Sequence, residues 1–213
     1  MSSTSSAPGT AYPAGRTALL FVDPYNDFLA EGGKLRSNVA NVAKTVGLHE
    51  NLRTVTNAVR QAGFPVFIVP HHRYEPDDLK NWDHPSPYQR GSAKLQVFGK
   101  DTWGGEWFPE FAPRPGDTVV AEHWNSSGFA NTDLDFLLKQ KNITHVILIG
   151  LIANTYIEAT GRFAAELGYH VTLVHDATAA VSQEAMHAAH HLNGPTFAHA
   201  ILSTAELTAQ LTA

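Results

Sequence analysis

Thr17-Ala18-Leu19-Leu20-Phe21-Val22-Asp23-Pro24 is an apolar run that stops abruptly on a carboxylate and a proline. Ala18 to Val22 show no polar alternation, the pattern of a strand buried on both faces, as in a parallel sheet. Pro24 cannot donate to a ladder and ends the strand. Working outward, the same kind of run recurs at Pro65–Val69, Thr118–Ala121, His145–Ile149 and His170–Val174, with a shorter one at Ala200–Leu202. Gly150 closes the fourth run and His175-Asp176 the fifth. Between the runs lie helical patterns. Val42, Val46, Leu52, Val55 and Val59 predict one helix from Asn41 to Ala62, stopped by Gly63. Further helices are predicted over Asp133–Lys141, over Thr155–Leu167 with Gly168 as its stop, over Ser182–Leu192, and from Thr204 onward. Strands alternating with helices predict an α/β fold: a three-layer, doubly wound, mainly parallel sheet with helices on both faces. The segment from His71 to Pro115 breaks this rhythm. It is rich in Pro, Gly, Trp and His without a regular period, and is expected to cover the strand ends as a lid or to build a subunit contact.

Composition narrows the function. With 43% hydrophobic and 16% charged residues in 213, the chain can bury a sizeable core. A formal charge of −5 without a basic cluster argues against nucleic acid and anionic membranes as partners. No apolar run approaches the roughly 20 residues that span a bilayer. The chain has no cysteine, which excludes disulfides, thiolate metal sites and a cysteine nucleophile. Met1 to Gly15, rich in Ser, Ala, Pro and Gly, reads as a flexible leader ahead of one domain over 16–213. It lacks the features of a signal peptide, so a cytoplasmic location is expected.

In open parallel sheets, ligands bind beyond the carboxyl ends of the strands. The residues just past each run are therefore the candidate site: Asp23, then His71 and His72, then Glu122, His123 and Trp124, then Gly150 to Tyr156, then Asp176. Thr155 and Glu158 match a capping box, placing a helix N-terminus just after Asn154. Its free N–H groups could receive a carboxylate or an oxyanion. The alternative reading is an ordinary capped helix.

Phe21-Val22-Asp23-Pro24-Tyr25-Asn26-Asp27-Phe28 resembles the opening motif of the isochorismatase-like hydrolase superfamily. Ser127-Gly128-Phe129-Ala130-Asn131-Thr132-Asp133-Leu134 resembles its middle motif, and Gly150 to Glu158 with Ala164–Tyr169 and Asp176–Thr178 its closing one. The resemblance covers about Thr17 to Thr204. It implies an Asp, Lys and Cys used by many members for amide hydrolysis through a thioester. The Asp falls on Asp23, the Lys on His123 and the Cys on Tyr156, so two of the three positions depart. It also implies a cis peptide between Leu151 and Ile152, and an oxyanion hole from the N–H groups of Ile152 and Tyr156.

A tyrosine, with a reference pKa near 10, is a poor substitute for a thiolate. The resemblance offers a second chemistry that needs no cysteine: protonation of a vinyl ether by the Asp, then attack of water. The expectation is thus a hydrolase of a small molecule with Asp23, His123 and Tyr156 as catalytic residues. Ile152, Asn154, Phe28, Trp124 and Phe129 are expected to bind the substrate or its oxyanion. A catalytically impaired binding member and a disabled cysteine-type amidohydrolase are the alternatives. No cofactor is expected. His71, His72 and His84, with Asp77, Asp78 and Asp83, are the nearest approach to a metal set, but the Asp-x-His pattern of metal-binding family members is lacking and no metal is expected. His187 and His191 share one helix face and read as a polar surface. The family expectation for assembly is a homo-oligomer, dimer or tetramer.

Overall fold

The computed structural model describes residues 11–211. Six parallel strands form one sheet in the order β3-β2-β1-β4-β5-β6: β1 (Thr17–Val22), β2 (Val66–Val69), β3 (Thr118–Val119), β4 (His145–Leu151), β5 (His170–Ala179) and β6 (Ala200–Leu202). The helices are α1 (Asn26–Leu29), α2 (Arg36–Val46), α3 (Leu48–Gln61), α4 (Pro87–Leu95), α5 (Leu134–Gln140), α6 (Glu158–Glu166), α7 (Gln183–His187) and α8 (Thr204–Leu211). The order runs outward from β1 to β3, then outward the other way from β4 to β6. With right-handed crossovers, that reversal puts the connecting helices of the two halves on opposite faces. The reversal lies between β1 and β4, whose registers match from Thr17 with His145 to Val22 with Gly150.

β1 is buried along its whole length, as its unalternated apolar run requires. Gly150 stands beside the end of β1 at φ 114°, and a Cβ there would collide with the Val22 carbonyl oxygen. Only glycine lets the two central strands approach so closely.

Several boundaries differ from the sequence expectation, each for a local reason. The predicted long helix is broken into α2 and α3 by Gly47, which is left-handed at φ 68°. β4 continues through Gly150 to Leu151 rather than ending before it. β5 continues past His175-Asp176 to Ala179, after a register shift against β4. Asp176 therefore lies within β5, and its Oδ1 accepts hydrogen bonds from the Thr204 N–H and hydroxyl at the start of α8, both at 2.7 Å. That carboxylate oxygen is taken up in holding α8. The predicted helix over Ser182–Leu192 is α7 continued by a π-helical turn at Ala188–Asn193. The segment from His71 to Pro115 is not wholly irregular. It contains α4, whose Ser86 and Gln89 form a reciprocal capping box with Pro87 at the first helical position.

Of the expected leader, residues 1–10 lie outside those described. Within the rest, Tyr12 is buried and its hydroxyl stands 3.1 Å from Thr172 Oγ1, so the packed body takes in Tyr12.

Candidate active site

Asp23 leaves β1 with φ 55°, a left-handed conformation that Asp tolerates better than most residues, and its N–H donates to the Val69 carbonyl at the end of β2. Beyond β2 and β3 the chain keeps a parallel pairing through a bridge between His71 and His123. The His123 N–H donates to the Pro70 carbonyl at 2.9 Å, and the His72 N–H to the His123 carbonyl at 2.8 Å. Two histidines are thereby fixed side by side next to Asp23. Tyr156 arrives from the turn after β4. Asp23, His71 and His123 are each 0% exposed and Tyr156 is 1% exposed, so the cluster is sealed from solvent.

His123 Nε2 stands 3.2 Å from Asp23 Oδ1, and His123 Nδ1 is 2.8 Å from the Asn125 carbonyl oxygen. A carbonyl only accepts, so Nδ1 carries a hydrogen; the tautomer is set by its partner. Nε2 is then either bare, accepting from a protonated Asp23, or protonated, donating to a carboxylate. Burial pushes the Asp23 carboxyl above its usual range, against the charge and hydrogen bond of His123 and the His71 backbone amide, which pull it down. Asp23 Oδ2 is buried without a hydrogen-bond partner among the described residues.

Tyr156 closes the other side. Its ring lies 5.5 Å from His123, 5.3 Å from His71 and 6.4 Å from Phe28, and its hydroxyl donates to the Tyr88 hydroxyl of α4 at 2.9 Å. Burial, with Tyr88 and Asp23 nearby, drives the Tyr156 phenol well above its usual value, so it is neutral in the physiological range. Phe28 and His71 both pack on Phe98, at 5.0 and 5.2 Å, completing an aromatic wall.

Other expected site residues are placed differently. Trp124 stacks on His72 at 3.5 Å and leans on Trp82. It comes directly after His123, and neighbours in extended chain face opposite ways. Phe129 packs against Tyr169 at 5.8 Å. Its motif serves as a joint to α6, where the Gly128 N–H donates to Thr160 Oγ1 at 2.9 Å. The capping box at Thr155 and Glu158 does not form. The helical turn begins earlier, as a π-helical turn at Ala153–Ile157 capped by Ile152 without a side-chain bond. Thr155 is already inside it, and Glu158 bonds Arg162 and Asn193 instead. The peptide between Leu151 and Ile152 is cis. Asn154, in that turn, holds a buried Oδ1 without a partner.

The cluster holds two side chains beyond the expected catalytic set. His71 reads from sequence as a strand-end candidate and as part of a weak metal set, without a catalytic role, although its place after β2 matches that of His123 after β3. Tyr88 sits in a stretch without regular period, yet Ser86-Pro87-Tyr88-Gln89 carries the capping signal that marks its helix.

The remainder of the opening motif is an anchor. Asp27 accepts from the Phe98 N–H at 2.6 Å and the Lys34 N–H at 3.0 Å, and Asn26 Nδ2 donates to the Trp103 carbonyl at 2.9 Å. Tyr25 stacks between Phe98 and Trp107, both at 4.9 Å, and its hydroxyl donates to the His71 carbonyl. On the far side of His71, the ring of His72 bonds Asp78 at 2.7 Å and faces Glu122 at 3.2 Å. Burial alone would raise Glu122, but bonds from His72 and Arg73 bring it down to about 2. The same two carboxylates raise His72 against its burial. Among the described residues, no three His, Asp or Glu side chains stand together so as to hold a metal ion, and no helix is long and apolar enough to cross a membrane.

Comparison with known proteins agrees with this architecture. The isochorismatase domain matches residues 17–206. The ureidoacrylate amidohydrolase RutB of Yersinia enterocolitica is 29% identical over 199 residues, 88% of this chain and 80% of that protein. The crystal structure of a cysteine hydrolase from Pseudomonas syringae pv. phaseolicola superimposes with a TM-score of 0.78 at 24% identity, covering 93% of both chains. That of N-carbamoylsarcosine amidase from Thermoplasma acidophilum gives 0.64 at 28% identity, over 89% of this chain and 96% of that one. The domain match over residues 17–206, with a sheet order that agrees with the fold, shows that the chain belongs to the isochorismatase family.

Proposed function

We propose that the protein hydrolyses a small molecule by acid catalysis at Asp23, without a covalent acyl intermediate. The observation that supports this most is the unpaired Oδ2 of Asp23, in a buried carboxyl that burial favours in its protonated form. An acid that protonates carbon cannot be hydrogen-bonded to its target beforehand, because an alkene carbon is a weak acceptor. A carboxyl oxygen held dry and unpaired suits that task. In an enol ether, Asp23 would add its proton to the terminal alkene carbon, leaving an oxocarbenium ion beside the carboxylate it has just formed. The oxocarbenium ion is itself the counter-charge of that carboxylate, and His123, 3.2 Å from Oδ1, would hold the carboxyl in place. Addition of water gives a hemiketal, which collapses to a carbonyl compound and an alcohol.

Tyr156 stands where the family's nucleophile is expected. Its phenol is neutral and bonded to Tyr88, so in this reading it is a wall and not a nucleophile. Two relatives are named for amide hydrolysis, but no residue of this chain can form a thioester. The second reading, an impaired member that only binds, is favoured by the sealing of Asp23 and His123 beneath Tyr156 and Tyr88. Steady-state turnover of 2-alkoxyacrylates and N-carbamoyl amino acids by the wild type, Asp23→Asn and Tyr156→Phe separates the two. Enol-ether turnover that vanishes in Asp23→Asn and survives in Tyr156→Phe supports acid catalysis. Turnover of nothing supports the impaired reading.

A further inference from the structure

Acid catalysis by Asp23 leaves one buried titratable side chain without a task. His71 is 0% exposed and lies in the same buried cluster as the acid, its ring 4.9 Å from His123 and 5.3 Å from Tyr156. Its Nδ1 is 2.9 Å from the His72 carbonyl, so Nδ1 bears the hydrogen. Its Nε2 is buried and has no hydrogen-bond partner among the described residues. A structural histidine in a core normally uses both nitrogens, since an unsatisfied buried acceptor is costly. Here the backbone fixes one nitrogen through His72 and leaves the other as a bare lone pair within the buried Asp23 cluster.

We propose that His71 Nε2 is the base that holds and deprotonates the attacking water. The proposal rests on acid catalysis by Asp23 and supplies its second half. The steps balance. Asp23 gives its proton to the alkene carbon and becomes a carboxylate. Water bonds to the cationic carbon while one of its hydrogens passes to His71 Nε2. The imidazolium of His71 returns that proton to the ether oxygen as its bond to carbon breaks, releasing the alcohol. The remaining hydroxyl becomes the carbonyl, and its proton restores Asp23. No outside oxidant, reductant or metal takes part.

A base of this kind must be neutral when the acid is protonated. Burial first, then the charges of His123 and His72, hold His71 well below the usual histidine value, against the bond from His72 and the charge of Glu122. The titratable groups facing His71 are Asp23, His123, Tyr156, Tyr74 and, on its own strand end, His72. A positive charge appearing on His71 during water attack is met by the Asp23 carboxylate formed one step earlier.

Two measurements on the full chain test this. Nitrogen-15 NMR of the imidazoles at pH 7 should show His71 with a proton on Nδ1 and none on Nε2; a proton on Nε2 overturns the proposal whatever the activity. In the 2-alkoxyacrylate assay, His71→Asn, which can still donate to the His72 carbonyl, should lose about 10²- to 10⁴-fold in kcat with KM changed less than about threefold. His71→Ala should regain part of that loss with added imidazole, which a merely structural role would not produce. Full kcat in His71→Asn, alongside a dead Asp23→Asn, overturns the role of His71 and leaves the acid standing. An Asp23→Asn variant as active as the wild type, or a wild type that turns over no enol ether, overturns both.

Discussion

At the scale of the residue, the proposed chemistry rests on the two oxygens of one buried carboxyl. Asp23 Oδ1 is tied to His123, while Oδ2 is buried and free. Asp23→Asn keeps the volume but removes the acid, and is expected to lower kcat by about 10²- to 10⁴-fold in the enol-ether assay while leaving the fold intact by circular dichroism. Tyr156→Phe deletes only the bond to Tyr88. It should cost about 1 kcal/mol in urea denaturation and leave kcat within about threefold. Tyr156→Cys is the complementary change. An acyl adduct on residue 156 seen by mass spectrometry with N-carbamoyl amino acids would show that the scaffold still supports thioester chemistry, with His123 serving at the family's Lys position. The meeting of Asp23 and His123 is legible in the sequence because each stands just past an apolar run, where parallel sheets place their ligands. The pocket walls are less so. Trp124 and Phe129 are aromatic neighbours of site residues in sequence, yet their rings turn to His72 and Tyr169, a matter of local alternation and packing that composition does not encode.

At the scale of the element, α4 and its anchors form the cover of the site. Tyr88 brings a hydroxyl to Tyr156, and Gln89 Nε2 donates to the Trp124 carbonyl at 3.0 Å. The helix begins on the Ser86 cap. Ser86→Ala should cost about 1 kcal/mol, read as faster amide exchange confined to 87–95 with β4 unchanged. Opposite it, Asp27 anchors Phe98 and Lys34 from the opening motif. Asp27→Ala leaves the buried Phe98 N–H without its acceptor and should lower stability by about 1–3 kcal/mol in urea denaturation. The strands are readable from their unbroken apolar runs. The break at Gly47, the extension of β5 and the π-helical turns are not, because the local pattern of each segment fits two outcomes.

At the scale of the whole molecule, the fold sets both the place of the site and the response to pH. The strand order reverses between β1 and β4, and Asp23, His71, His123 and Tyr156 converge there from four separate connections. The order of the strands is not readable from the sequence, which shows only their number and spacing; the parallel α/β class is. Far from the site, burial and the charges of His175 and His191 hold His190 down to about 4, and burial with neighbouring cations also lowers His145 and His170. A histidine whose folded pKa lies below its unfolded value near 6.5 binds fewer protons when folded, so its contribution is complete above pH 6.5 and is lost as pH falls toward about 4. Asp23, raised by burial, acts in the opposite sense. Unfolding free energy from urea titrations should therefore decline between pH 6.5 and 4, and His190→Gln should flatten that decline. The central claim is carbon protonation by Asp23, and its most direct test is turnover of a 2-alkoxyacrylate in D₂O monitored by NMR of the product. One deuterium on the former terminal alkene carbon, with no adduct on the protein and no turnover by Asp23→Asn, is the predicted result; product without deuterium at that carbon, or turnover through an adduct on Tyr156, would contradict it.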